Sequence, residues 1–223
     1  MAQAAGLAVI VGYGSGIGAA VARAFGREGM AVALLARDKA KATAAAAAME
    51  RAGEAPQAAG YRADAGDAAS LNAAIDAAVE RFGDVGVLVY NAAAWRDGPV
   101  LALTPEQLVE DFRVCTVGAL AAARAVAVAM QARRRGTIIF TGGGFALFPS
   151  AMAPSLSIGK AGIRALALML ASELAPSGVR VGTVTIMGVV AAGTKFDPDA
   201  IAQRYLDIHH GAAGTTVAEL QFI

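Results

Sequence analysis

Four glycines stand at alternate positions in Gly12-Tyr13-Gly14-Ser15-Gly16-Ile17-Gly18, directly after the apolar run Leu7 to Val11. A pyrophosphate approaches a helix N-terminus closely only where side chains are absent, and there the orphan N–H groups and the helix dipole hold it. These seven residues have the chemistry of a nucleotide-phosphate cradle; the plainer reading is a flexible loop between two core elements. Further residues able to do chemistry are scattered along the chain: Arg37, Asp64, Asn91, Cys115, Lys160 and the pair His209 and His210. The lone cysteine excludes an intrachain disulfide and a thiolate metal cluster, no metal site is expected, and Cys115 itself reads as a small buried hydrophobe.

The elements that must position these residues follow a βα rhythm. Ala19 to Arg27 has helical composition and Met30 to Ala36 is a second apolar run, so the glycines sit in a strand, turn, helix, strand unit. Asp38 to Gly53 is an alanine-rich helix with an aspartate N-cap and a glycine stop. Ala58 to Arg62 reads as a strand, Asp67 to Phe82 as a helix, and Val85 to Tyr90 as a buried β-branched strand. Thr104, Pro105 and Gln107 have the spacing of a capping box, and a long helix is expected from Phe112 to Arg134. Its basic end, Arg133 to Arg135, reads as a solvated turn that complements the helix dipole. Strand Thr137 to Thr141, helix Ser157 to Leu174, strand Val179 to Ile186, a helical stretch Pro198 to Asp207 and a last strand from Thr216 complete the order.

Strands alternating with helices imply an α/β fold: a doubly wound, Rossmann-like parallel sheet of about seven strands with helices on both faces. The whole of 1–223 reads as one domain. Ligands of such sheets lie beyond the carboxyl ends of the strands, where Gly12, Arg37, Asp64, Asn91, Thr141 and Gly188 fall. With 223 residues, 57% of them hydrophobic, and a net charge of +1, the chain has ample core and no charge excess for nucleic acid. Charges interrupt the apolar runs before the roughly 18 uninterrupted residues of a membrane span are reached. Met1 to Gly6 lacks the basic region of a secretory signal, and with one cysteine a reducing cytoplasm is the expected compartment.

Gly12, Gly16 and Gly18 match the TGxxxGxG turn of the short-chain dehydrogenase/reductase family, and the resemblance extends over nearly the whole chain. Asp64 in Arg-Ala-Asp-Ala is similar to the aspartate that meets the adenine. Tyr90-Asn91-Ala92-Ala93 resembles the NNAG segment, and Ser157 to Gly162 resembles the SKAG stretch. Met187-Gly188 resembles the PG turn, which implies nicotinamide contacts from Gly188 and Val189; Thr194 resembles a cofactor-contacting threonine. The resemblance implies a dinucleotide cofactor and a homodimer or homotetramer. NAD-preferring relatives carry an acid where this chain has Ala36, and Arg37 follows it, so NADP(H) is expected over NAD(H). The plainer reading of Arg37 is a solvated residue before the Asp38 cap.

The catalytic residues depart from the family pattern. The positions of its serine, tyrosine and helix asparagine are held by Gly143, Leu156 and Cys115, and only the lysine, Lys160, is kept. A positioned general acid contributes about 10² to 10⁴ in rate and an oxyanion donor about 10² to 10³, so the usual family mechanism is not available. Candidate substitutes are Ser155, Tyr90, His209, His210 and Lys160, each with a plainer role: loop hydrogen bonding, packing, surface exposure or ribose holding. The apolar loop Gly142 to Pro149, with Met152, Leu156, Met187 and Trp95, reads either as the floor of an apolar substrate pocket or as core and subunit packing.

Overall fold

A computed structural model of the chain describes residues 6–211 and 218–223. Seven strands form one parallel sheet in the order β3-β2-β1-β4-β5-β6-β7. They are β1 (Leu7–Val11), β2 (Ala31–Ala36), β3 (Ala58–Arg62), β4 (Val85–Tyr90), β5 (Gly136–Thr141), β6 (Val179–Ile186) and β7 (Glu219–Phe222). Strand order reverses between β1 and β4, which opens a crevice at their carboxyl ends, where both the glycine turn and Asn91 emerge.

Because both faces are covered, the strands are apolar throughout, and the pleat divides them. Leu7, Val9 and Val11 point to one core with α3 (Ala68–Phe82), α5 (Gly118–Ala132) and α6 (Pro154–Leu174). Ala8 and Ile10 point to the other, with α1 (Ile17–Arg27), α2 (Lys39–Arg51) and α7 (Pro198–His210). The caps form as the sequence implies. Asp38 and Asp67 accept first-turn N–H groups of α2 and α3, and Thr104 with Gln107 completes a capping box on α4 (Pro105–Phe112).

Several elements differ from expectation, among them α7, which runs past Asp207 to His210. Helix α6 begins at Pro154, which suits the first turn because proline lacks only an N–H that would be orphaned anyway; Ser155 and Leu156 are therefore helical. The long helix expected from Phe112 is instead continuous with α4 and passes through a π-helical turn at Arg113–Val117 before α5. The last strand starts at Glu219, and the Thr216 and Val217 of its expected start lie outside the described residues. Two residues past the end of α5, Arg134 is in the left-handed region (φ 53°), a conformation costing a non-glycine residue about 1–2 kcal/mol.

By length and composition the stretches Pro105–Ala132 and Pro154–Ser177 are apolar enough to cross a membrane. Counting uninterrupted runs passes over them because charges break the series. Their apolar residues include Ala119, Ala122, Val126, Ile163, Leu166 and Leu174, which pack in the core.

Candidate functional site

The glycine turn is fixed by its neighbours. Gly12 has φ +81°, and a Cβ on it would come within 2.6 Å of the Ala92 Cα, so only glycine fits. Its N–H and that of Tyr13 both donate to the Leu35 carbonyl, which ties the turn to the end of β2. A Cβ on Gly18 would press on Gly12 and Tyr13 at 3.2 Å, whereas Cβ atoms on Gly14 or Gly16 would meet nothing within 4 Å. The turn thus has a packed inner side and an open outer side at the start of α1, where Gly16 is the N-cap, no side chain caps the first turn, and Ser15 is exposed. That arrangement fits a bound phosphate: bare backbone, a first helical turn that no side chain caps, and space.

Arg37 and Asp64 each follow one partner of a backbone bond, the Ala63 N–H donating to the Ala36 carbonyl, which brings the ends of β2 and β3 together. Both side chains are exposed. Asp64 accepts the Gly66 N–H at 2.9 Å, which fixes its carboxylate at the strand end.

A buried hydrogen-bond chain runs behind the turn. The Asn91 Nδ2 donates to the Gly12 carbonyl at 2.9 Å, Thr141 Oγ1 donates to Asn91 Oδ1 at 2.9 Å, and Thr141 Oγ1 lies 2.7 Å from the Tyr205 hydroxyl. A threonine hydroxyl carries one proton. Since Thr141 spends its proton on Asn91, the Tyr205 O–H must donate to Thr141, and the chain has one direction from α7 to the glycine turn. Lys160 joins it through the Thr141 carbonyl, to which Nζ donates at 2.7 Å. Burial of the Lys160 ammonium lowers its pKa from the ordinary 10.5 to about 8.

Gly143 follows directly. A Cβ there would touch the Lys160 methylenes at 3.6–3.8 Å, so this glycine, which the resemblance sets against the family serine, adjoins the lysine. Leu156 is buried at 5% exposure in the first turn of α6. Cys115 lies in the π turn, with Sγ accepting the Ala94 N–H at 3.3 Å; burial pushes its thiol up. A Cβ on Gly159 would lie 2.9 Å from that sulfur, which explains the glycine one residue before Lys160. The π turn also receives Tyr90, whose hydroxyl donates to the Val114 carbonyl. Fully buried, with its pKa raised by desolvation, Tyr90 is a structural donor and not an acid for substrate.

The histidines are at the wrong end of the sheet. His209 Nδ1 is 2.9 Å from the Oγ1 of Thr137, near the amino end of β5, while the glycine turn and Lys160 are at the carboxyl ends. Helix α7 runs on to His210 and carries both rings away from the crevice, so neither is a proton donor there. Ser155 Oγ is buried without a hydrogen-bond partner among the described residues. The apolar loop does gather: Trp95 stands edge-on to Phe145 with centroids 6.2 Å apart, and Gly144 is beside the Met187 sulfur. Trp95, Phe148 and Met152 are exposed around it. Gly188 packs under the Phe196 ring and Val189 is 86% exposed. The sequence reading missed Tyr205, whose spacing from Ile201 and Ile208 marks an inward α7 face but whose hydroxyl partner lies 64 residues away.

A short chain dehydrogenase family model matches residues 6–200. The chain belongs to that family. Among its curated relatives, 2-(S)-hydroxypropyl-CoM dehydrogenase 3 of Xanthobacter autotrophicus is 32% identical over 213 residues, covering 92% of this chain and 83% of the relative. Among solved family members, a metagenomic short-chain oxidoreductase in complex with NADP is 29% identical, with a TM-score of 0.88 over 99% of this chain and 98% of that one. An NADPH-bound short-chain oxidoreductase from Pseudomonas aeruginosa PAO1, described as containing an atypical catalytic center, is 25% identical, with a TM-score of 0.88 over 97% and 94%. Both the family and its Rossmann-like sheet are thereby those the sequence resembled.

Proposed function

We propose that this chain is an NADP(H)-binding oxidoreductase for a carbonyl or alcohol on an apolar substrate, working without the family's tyrosine and serine. The observation that carries the reading is the directed chain Tyr205, Thr141, Asn91, Gly12, with Lys160 attached: the frame around the cofactor turn is complete, while Gly143 and Leu156 leave the proton donors out. NADP(H) is supported by the exposed Arg37 beside Gly12 and by the NADP or NADPH in the similar structures. Gly12 to Gly18 would hold the pyrophosphate, Arg37 the 2′-phosphate, Asp64 the adenine, and Asn91, Lys160, Gly188 and Val189 the nicotinamide half. When bound, the nicotinamide supplies the hydride chemistry. The chain's own residues orient it, exclude water with Phe145, Leu156 and Met187, and leave the Lys160 ammonium as the charged group at the site.

The missing donors also favour a second reading, a catalytically silent dinucleotide-binding protein that senses redox state or partners an active relative. Reduced-nicotinamide fluorescence should report NADPH binding tighter than NADH, with Arg37→Ala weakening NADPH selectively. A panel of apolar aldehydes and ketones then decides between the readings: NADPH oxidation supports the enzyme, and tight binding without turnover supports the silent protein. Exposed Val128 on α5 and Ile158 and Met169 on α6 support a homodimer or homotetramer, and a cytoplasmic location accords with the single reduced cysteine.

A further inference from the structure

The amino ends of the strands carry a feature that dinucleotide binding does not use. A groove of about 1700 Å³ crosses that edge of the sheet, larger than the roughly 300–1,000 Å³ of ordinary small-molecule pockets. Its lining contains four arginines, Arg81, Arg133, Arg135 and Arg180, against a single carboxylate, Asp84. Asp84 is taken by Arg133 at 2.8 Å. The whole chain has a net charge of only +1, so this concentration is local rather than a reflection of a basic protein.

Three further observations point the groove toward an anion. Arg180 donates to the His209 carbonyl through Nη1 at 2.9 Å, but its Nε is buried without a partner among the described residues. The left-handed Arg134 turns the chain between Arg133 and Arg135, and both of these line the groove. The basic trio is solvated, as its sequence implies, with Arg134 and Arg135 exposed, and two of its members, Arg133 and Arg135, also line this concave surface. Aromatic faces lie among the charges: Phe82, over which the Arg81 guanidinium sits at 4.9 Å, and the His209 and His210 rings, 5.0 Å apart.

We infer that this groove is a second ligand site, taking an organic polyphosphate of nucleotide size at the edge of the sheet opposite the glycine turn. Guanidinium groups match phosphate oxygens in charge and geometry, and the aromatic rings suit a heterocyclic base. Glu28, 3.3 Å from His210, borders this end of α7 and sets an acidic limit to it.

The test is calorimetric titration of the full chain with ATP while NADPH is saturating, with tripolyphosphate and a single-stranded oligonucleotide as comparison probes. ATP is expected to bind with NADPH present, more tightly than tripolyphosphate, and to weaken as salt is raised. Arg81→Glu with Arg135→Glu should weaken ATP at least tenfold and leave NADPH affinity unchanged; Arg81 touches the Phe82 ring and the Tyr61 hydroxyl but neither arginine is paired with a described carboxylate, and circular dichroism checks that the variant is folded. The double variant locates the site whether or not NADPH binds at the glycine turn. No ATP binding under saturating NADPH, equal ATP affinity in the folded double variant, or preference for the oligonucleotide would overturn the proposal.

Discussion

Supplying the two donors that the proposed reading finds absent, Gly143→Ser with Leu156→Tyr, tests whether the scaffold presents a working nicotinamide site. Gly143 has φ −172° and ψ 155°, extended backbone that any residue adopts, and its Cβ would make ordinary contact with Lys160. Serine therefore enters without strain. Leu156 is 5% exposed, so tyrosine must displace neighbours at an overpacking cost of about 1–3 kcal/mol. At roughly 2–4 °C per kcal/mol for a chain of this size, the melting temperature should fall by several degrees while the protein stays folded. A general acid is worth about 10² to 10⁴ and an oxyanion donor about 10² to 10³; because such groups act together, their factors do not simply multiply. The double variant should gain at least about 10² in kcat/KM for NADPH-dependent carbonyl reduction, or acquire measurable turnover if the parent has none. Gly143→Ser alone should gain much less. The assay is NADPH oxidation across the carbonyl panel, paired with cofactor titration. A folded double variant that binds NADPH like the parent and reduces nothing faster would refute the reasoning, because then more than the proton machinery is absent.

Gly12→Ala should lower NADPH affinity at least tenfold and reduce stability, since its Cβ collides with Ala92 at a positive φ; fluorescence titration and a melting curve check both. Lys160 gives a signed pH effect. Its native pKa, about 8, lies below the ordinary 10.5, so between those values the unfolded chain holds more protons and stability should rise with pH. In urea titrations Lys160→Met should lack that rise, and a parallel pH profile in the two proteins would count against the buried ammonium. Glu219 is gripped by Arg164 at 2.6 and 2.9 Å and by Thr185 at 2.6 Å, joining β7 to α6 and β6. Glu219→Gln should cost about 1–3 kcal/mol in denaturant unfolding, and no loss would show the pair to be neutral.

Much of the fold was legible because local rules and tertiary demands agree. The strands Leu7–Val11, Ala58–Arg62, Val85–Tyr90 and Val179–Ile186 have the bounds their apolar runs imply. The Asp38, Asp67 and Thr104 caps rest on side chains that satisfy N–H groups within three residues. The π turn was not legible, since helical periodicity looks alike on either side of it. It is stabilised by contacts distant in sequence: Tyr90 to Val114, and Gly118 so close to Ala65 and Tyr90 that a Cβ would lie 2.5 Å from the tyrosine hydroxyl. The histidines show the converse error. A helix expected to stop at Asp207 left their direction open, and one further turn carried them to the other edge of the sheet.

The sequence by itself determined the glycine turn, the strand-and-helix order, the arginine after β2, and the Gly143 and Leu156 that the resemblance sets against the family's serine and tyrosine, because these depend on residue type and short spacing. Only the tertiary structure decided which polar groups meet. Tyr205, Thr141, Asn91 and Gly12 become one directed hydrogen-bond chain, and Arg81, Arg133, Arg135 and Arg180 become one groove, through crossovers that place distant residues at a common edge. Spacing along the chain carries no information about such meetings; the register of parallel strands and the packing of helices across them does.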